Sequence, residues 1–254
     1  MDTIIEVKGL HRKYVTYKGA IRKKKEVVEA VRGIDFTVNR GEIFGLLGQN
    51  GAGKTTTIKM LTTLLAPTSG TCKVFGYDTF GQEKQIRKRI NFIFGGEMGV
   101  YRRLSGRDNL RYFANLYLMD TAERENRINK ILELVDLTDA ADRLAETYSK
   151  GMIQRLQIAR GLINNPEIIF MDEPTVGLDP LGAHMLRDII RKLCDEGKTV
   201  LLTTHYLPEV EELCDRIVIL SHGEIVARGT PDEIKGDAAT LEDAYISLIK
   251  GDAS

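Results

Sequence analysis

The sequence predicts an α/β fold: a parallel sheet buried on both faces, an antiparallel β lobe at the N-terminal end, and an inserted helical lobe. Three observations point there. Continuous apolar runs return along the chain with helical patterns between them, as strands covered on both faces require. A glycine-rich loop separates one of these runs from a helical pattern. From about Gly95 to Gly161 strand signals give way to helical periodicity. The expected organisation is one domain over 1–254, with 1–94 and 162–254 as the core with its β lobe and 95–161 as the helical lobe.

The β lobe is read from Ile4–Ile5–Glu6–Val7, Val27–Val28 and Ile34–Asp35–Phe36–Thr37–Val38. The intervening polar stretch, with Arg22–Lys23–Lys24–Lys25, reads as a solvated loop or hairpin tip. Glu42–Ile43–Phe44–Gly45–Leu46–Leu47 is a buried strand, and Thr56–Leu61 continues as a helix after the loop. In the helical lobe one pattern opens at Arg107 and runs through Tyr112, Leu116 and Leu118. Another runs through Ile128, Ile131, Leu132 and Val135. The core resumes with Ile168–Ile169–Phe170–Met171, Val200–Leu201–Leu202–Thr203 and Ile217–Val218–Ile219–Leu220.

Composition bounds the function. The chain has 254 residues, 43% hydrophobic and 28% charged, as a globular protein does. With 36 basic and 36 acidic residues the net charge is zero, which argues against a nucleic-acid binder. No apolar run reaches the roughly 20 residues of a membrane span, and no signal-peptide pattern opens the chain. Cys72, Cys194 and Cys214 are too scattered for a metal site and read as reduced thiols.

Gly48–Gln49–Asn50–Gly51–Ala52–Gly53–Lys54–Thr55 matches G-x-x-x-x-G-K-[ST] at every fixed position. Glycines let the backbone curl so that successive N–H groups face phosphate oxygens, and the helix beginning there, through Thr56, adds its positive end. Lys54 would reach the β- and γ-phosphates, and the Thr55 hydroxyl would face Mg²⁺. The fold class narrows to a P-loop NTPase core. The run 168–171 ends in Asp172–Glu173. Asp172 would hold Mg²⁺ through its water shell. Glu173 would act as general base or water-positioning group toward the γ-phosphate.

With these residues the chain resembles the nucleotide-binding subunit of ATP-binding cassette transporters, over nearly its whole length. Met171–Asp172–Glu173–Pro174–Thr175 and Gly177–Leu178–Asp179–Pro180 look like that family's metal strand and aspartate loop. Tyr148–Ser149–Lys150–Gly151–Met152 lies where the family signature belongs, and His205 closes a strand as the family's switch histidine does. The resemblance implies ATP and Mg²⁺ as ligands and head-to-tail pairing of two such domains. Ser149, Lys150 and Gly151 of one copy then complete the other's site, and Asp179 sits at the dimer interface. Lys150 replaces the glycine more usual there. Tyr14 is the best match for the aromatic that stacks on adenine, with Tyr17 as alternative; a core role competes for Tyr14. The family's glutamine at the start of the helical lobe is missing: Phe94–Gly95–Gly96–Glu97 stands there, with Gly96 in its place and Glu97 as the residue that could approach the metal.

The implied partners are a polytopic permease in the membrane and a second copy of the chain or a related ATPase, with no nucleic acid. The implied location is peripheral, on the cytoplasmic face of the cell membrane. Past Gly229 there is little room for a regulatory domain. The motif set looks most like exporters of drugs, antibiotics or other amphiphiles of the ABC-2 type. Rival readings are a single-cassette ATPase outside transport, an importer ATPase and a metabolic kinase. The kinase would not explain Ser149–Gly151 or the pair Glu173 and His205.

Overall fold

The computed structural model describes residues 2–18, 24–93 and 99–252. In chain order they form β1 (Thr3–Lys18), β2 (Lys24–Asn39), β3 (Ile43–Gly48), α1 (Lys54–Leu61), β4 (Ser69–Val74), β5 (Tyr77–Asp78), α2 (Glu83–Arg87) and β6 (Ile90–Ile93). There follow α3 (Gly106–Leu116), α4 (Thr121–Leu134), α5 (Lys150–Gly161), β7 (Ile168–Asp172), α6 (Pro180–Asp195) and β8 (Thr199–Thr204). The chain ends with α7 (Leu207–Leu213), β9 (Arg216–Ser221), β10 (Glu224–Gly229), α8 (Pro231–Lys235) and α9 (Leu241–Asp252). The chain divides into two compact units, Met1–Arg87 with Leu201–Ser254, and Lys88–Val200.

The first unit holds an antiparallel sheet in the order β2-β1-β4-β5. In its second sheet β10, β9, β3 and β8 are successive neighbours. β3 runs parallel to β9, and β10 is an antiparallel edge. The sheet is therefore mixed where the apolar runs predict a parallel one. All six residues of β3 and of β8 are buried, which explains why both read as unbroken apolar strings rather than alternating ones. Phe36 on β2 and Phe44 on β3 stack with ring centroids 5.5 Å apart, joining the two strands through the core.

β1 and β2 are much longer than their apolar runs. They pair from Thr3↔Asn39 to Lys18↔Lys24, with register shifts near Thr3, Val7, Leu10 and Arg12. Toward the open end Val15, Val27 and Val28 are about half exposed. Backbone hydrogen bonding, not burial, extends this ribbon, so hydropathy under-reads it. The tip expected at 22–25 has its side chains outside the described residues.

In the second unit β6 and β7 pair in parallel, Ile90↔Ile168 through Ile93↔Met171. α3 begins at Ser105, whose Oγ accepts from Asp108 N at 3.0 Å and donates to Asp108 Oδ2 at 2.7 Å. That hydrogen bond, with Arg111 behind it, holds the Asp108 carboxyl below the usual range. The predicted helix through Leu118 stops at Leu116. Leu118 takes a left-handed φ of 56° and is 91% exposed, so the apolar periodicity overran the C-terminus. α4 carries Ile128, Ile131 and Leu132 inward, as its spacing predicts. α6 buries Leu186, Ile189, Ile190 and Leu193 on one stripe. Cys72, Cys194 and Cys214 are free thiols.

Phe170 is fully buried in β7. Phe170→Ala should lower unfolding stability by about 3–5 kcal/mol through lost burial and a residual cavity. Urea denaturation followed by circular dichroism checks this; an unchanged midpoint would contradict the packing.

Candidate functional site: a glycine cradle and two acidic strand ends

β3 delivers the chain into its loop at Gly48, and the path of that loop is set by what surrounds it. Gly48 has φ 151°, Gly51 φ 85° and Gly53 φ 107°. A Cβ at Gly48 would stand 2.4 Å from the Leu220 carbonyl oxygen; one at Gly53 would stand 2.5 Å from that of Ala30. Both neighbours are backbone, so neither can step aside. At Gly51 a Cβ would meet nothing within 4 Å, and only the left-handed backbone asks for glycine. A further bond, from Gly223 N to Ala52 O at 3.1 Å, ties the loop to the β9–β10 turn.

Lys54 is the first residue of α1 and is only 6% exposed. Its Nζ donates to Gly48 O at 2.6 Å and Gln49 O at 3.2 Å, clasping the loop it belongs to. Gly53 caps α1 without a side-chain hydrogen bond. The positive N-terminal end of α1 thus follows directly on the loop. Behind it Thr57 Oγ1 donates to Gly53 O at 3.0 Å. Thr55 is exposed at the opening of the helix and Thr56 half-buried. A glycine-shaped turn at a helix N-terminus with one buried ammonium suits a phosphate-bearing ligand.

His205 is exposed just past β8, the neighbour of β3. Tyr14 on β1 is half-buried, and the Arg12 guanidinium lies 4.8 Å from its ring centroid. One face of that ring is thus engaged by a cation. The Tyr17 side chain lies outside the described residues.

In the second unit four buried residues of β7 lead to Asp172, which is half-buried at the strand end. Glu173 follows with φ 48°, a left-handed conformation that costs a non-glycine residue about 1 kcal/mol or more. The backbone thus turns sharply between the two carboxylates. Asp179 caps α6, its Oδ1 accepting from Gly182 N at 2.7 Å. Ser149 caps α5, its Oγ accepting from Met152 N at 3.2 Å. Both residues therefore hold helix ends within this chain, besides what the resemblance implies for them. Lys150 and Gly151 form the first turn of α5, where Lys150 Nζ lies 3.9 Å from the Cβ position at Gly177. Glu97 and Gly96 lie outside the described residues. Among those described, no group of three or more His, Cys, Asp or Glu side chains could hold a metal.

Ala30 and Leu220, whose carbonyls shape the loop, were not legible in the sequence. They come from β2 and β9, and no local motif marks a backbone oxygen.

Fold and site define a phosphate-loop ATPase. The family model described as "ABC transporter" matches residues 31–176, and the chain belongs to the ABC transporter family as an ATP-binding cassette. It is similar to the ABC transporter ATP-binding protein NatA of Bacillus subtilis, 40% identical over 227 residues, covering 89% of this chain and 92% of the relative. It is also similar to a fluoroquinolones export ATP-binding protein of Mycobacterium tuberculosis, 44% identical over 233 residues, covering 91% of this chain and 72% of the relative. Among solved structures it matches a dimeric ATP-binding cassette in a post-hydrolysis state with ADP and Pi. The TM-score is 0.76 at 26% identity, covering 89% of this chain and 98% of that one.

Gly48→Ala should weaken ADP binding by roughly tenfold or more, equivalent to about 1.4 kcal/mol, because the methyl group would displace the loop from Leu220. Titration with a fluorescent ADP analogue checks this. Gly51→Ala, with open space around it, should cost less.

Proposed function

We propose that this chain is the ATP-hydrolysing subunit of an exporter of drugs, antibiotics or other amphiphiles, working as a head-to-tail dimer beneath separate membrane subunits. The observation that carries the reading is the cradle at Gly48–Thr55, with the helix that starts from it and the buried Lys54. The likeness to a fluoroquinolones export protein supports the direction and class of transport. The dimeric cassette solved with ADP and Pi supports pairing. Among the described residues no helix is long and apolar enough to cross a membrane. The transport path then belongs to a polytopic permease, with this subunit peripheral on its cytoplasmic side.

In this reading Gly48–Thr56 bind the phosphates of ATP, and Lys54 leaves Gly48 O and Gln49 O to meet the β- and γ-oxygens. Tyr14 offers its remaining face to adenine. Thr55 and Asp172 would hold Mg²⁺, with Glu97 a further candidate outside the described residues. When bound, the ion neutralises charge on the phosphates and helps align the γ-phosphoryl group. Glu173 takes the proton of the attacking water or holds that water in line. His205 donates to the γ-phosphate and orients the water. Ser149, Lys150, Gly151 and Asp179 reach the site of the second copy. ATP favours the closed arrangement and products the open one, and that difference in affinity drives the permease.

Glu173→Gln should nearly abolish phosphate release while ATP-bound dimers accumulate on size-exclusion chromatography; unchanged turnover would remove Glu173 from its role. His205→Ala should slow hydrolysis and leave ATP affinity intact. Chelation of Mg²⁺ by EDTA should stop phosphate release, and added Mg²⁺ should restore it.

A further inference from the structure

Within the second unit a cleft of about 560 Å³ opens between α4 and the turn that follows α5. Its walls carry Lys88, Arg127 and Lys130 together with the amides of Asn126, Asn164 and Asn165. Glu123 is the one carboxylate on the lining. Lys198 stands beside it, donating to Asn165 Oδ1 at 2.7 Å.

The pairing of these cations differs from that of their neighbours. Elsewhere in the same unit arginines meet carboxylates: Arg89 holds Glu167 through two bonds at 2.5 and 2.9 Å, Arg111 holds Glu125, and Arg155 holds Asp136. Among the described residues no ion pair within 4 Å engages Lys88, Arg127, Lys130 or Lys198. Arg127 donates instead to neutral acceptors, Leu162 O at 2.7 Å and Asn165 Oδ1 at 3.3 Å. Its Nε is buried without a hydrogen-bond partner. Asn165, at a left-handed φ of 50°, accepts from Arg127 and Lys198 together, so one amide oxygen holds two cations near each other. Burial and the Arg127 charge push the Lys198 ammonium below the usual lysine range, and burial pushes Arg127 down as well. Glu196 acts on both at longer range, and Glu167 acts on Lys198 while held by Arg89.

Partly desolvated cations that repel each other and meet only amides need an anion to complete them. Arg127 serves the fold too, since Leu162 ends α5 and its carbonyl sits at the negative helix terminus. That role uses Nη2 and leaves Lys88 and Lys130 unexplained. We propose that this cleft is a binding site for a phosphate-bearing anion, separate from the loop at Gly48–Thr55. Lys88 and Lys130 supply exposed charge at its mouth, Arg127 supplies a forked donor within it, and the Asn126 amide and Tyr117 hydroxyl border it. The same chemistry fits an anionic phospholipid headgroup or a free phosphate ester.

The test uses the full chain with saturating ADP, so that the loop is filled. Inorganic phosphate is titrated in the millimolar range while the side-chain amide signals of Asn126, Asn164 and Asn165 are followed by NMR. In parallel the chain is sedimented with phosphatidylcholine vesicles with and without phosphatidylglycerol. Saturable shifts of those amides, or sedimentation that depends on phosphatidylglycerol, are expected. The double variant Lys88→Gln/Lys130→Gln should weaken either response by roughly tenfold or more and keep the thermal midpoint of the parent. A response to phosphate alone assigns the site to a soluble phosphate ester; a response to vesicles assigns it to a headgroup. No saturable response to either probe, or one unchanged in the double variant, overturns the proposal. Arg127→Gln is the weaker test, because losing the bond to Leu162 O would itself destabilise α5.

Discussion

Two backbone carbonyls stand where side chains would otherwise go at Gly48 and Gly53, and the nucleotide loop owes its shape to them. Leu220 O comes from β9 and Ala30 O from β2, so the loop is moulded by strands on either side of it. Alanine at either glycine would push against backbone that the sheet hydrogen bonds already fix. With the loop held, the buried Lys54 Nζ donates to Gly48 O and Gln49 O. Both of these acceptors are neutral carbonyls that a phosphate can outcompete. The same carbonyl-against-glycine contact thus links sheet geometry to phosphate chemistry.

Helix ends are the second recurring device. α1 starts directly from the loop, with Gly53 as its N-cap. α5 and α6 are capped by Ser149, which family resemblance places at the second nucleotide, and Asp179, which it places at the dimer interface. Their capping bonds orient the side chains within the chain. The Ser149 hydroxyl still has its proton to donate, and Asp179 has a second carboxylate oxygen beyond the one that meets Gly182 N. Intrachain capping and a role across a dimer are therefore compatible. The sharp turn at Glu173 is of another kind: a non-glycine residue in left-handed backbone directly after Asp172, with strain localised between two carboxylates.

Reading by hydropathy succeeded where burial governs and failed where it does not. β3, β7 and β8 are almost wholly buried, and each was visible as an apolar string. The β1–β2 ribbon is held by backbone pairing over polar and half-exposed residues, and only short pieces of it, 4–7, 27–28 and 34–38, were visible. The antiparallel edge β10 has intermediate or exposed side chains throughout, and its short apolar run Ile225–Val226–Ala227 was not read as a strand. Leu118 misled in the other direction, an apolar residue in phase with α3 but beyond its end and open to solvent.

The sequence by itself determined the chemistry that spacing can encode: a glycine-rich loop ending in Lys54–Thr55, an apolar strand ending in Asp172–Glu173, and a histidine after a third strand. These are local patterns, because one strand and the turn after it hold all their parts. The tertiary structure alone decided which carbonyls shape the loop, that Lys54 is buried against its own backbone, and that Asp179 and Ser149 cap helices. It alone brought Lys88, Arg127 and Lys130 to one cleft, with Lys198 beside it on Asn165, and none of the four in an ion pair among the described residues. Those features depend on residues far apart in the chain and on backbone oxygens that every residue possesses, so no residue type or spacing records them.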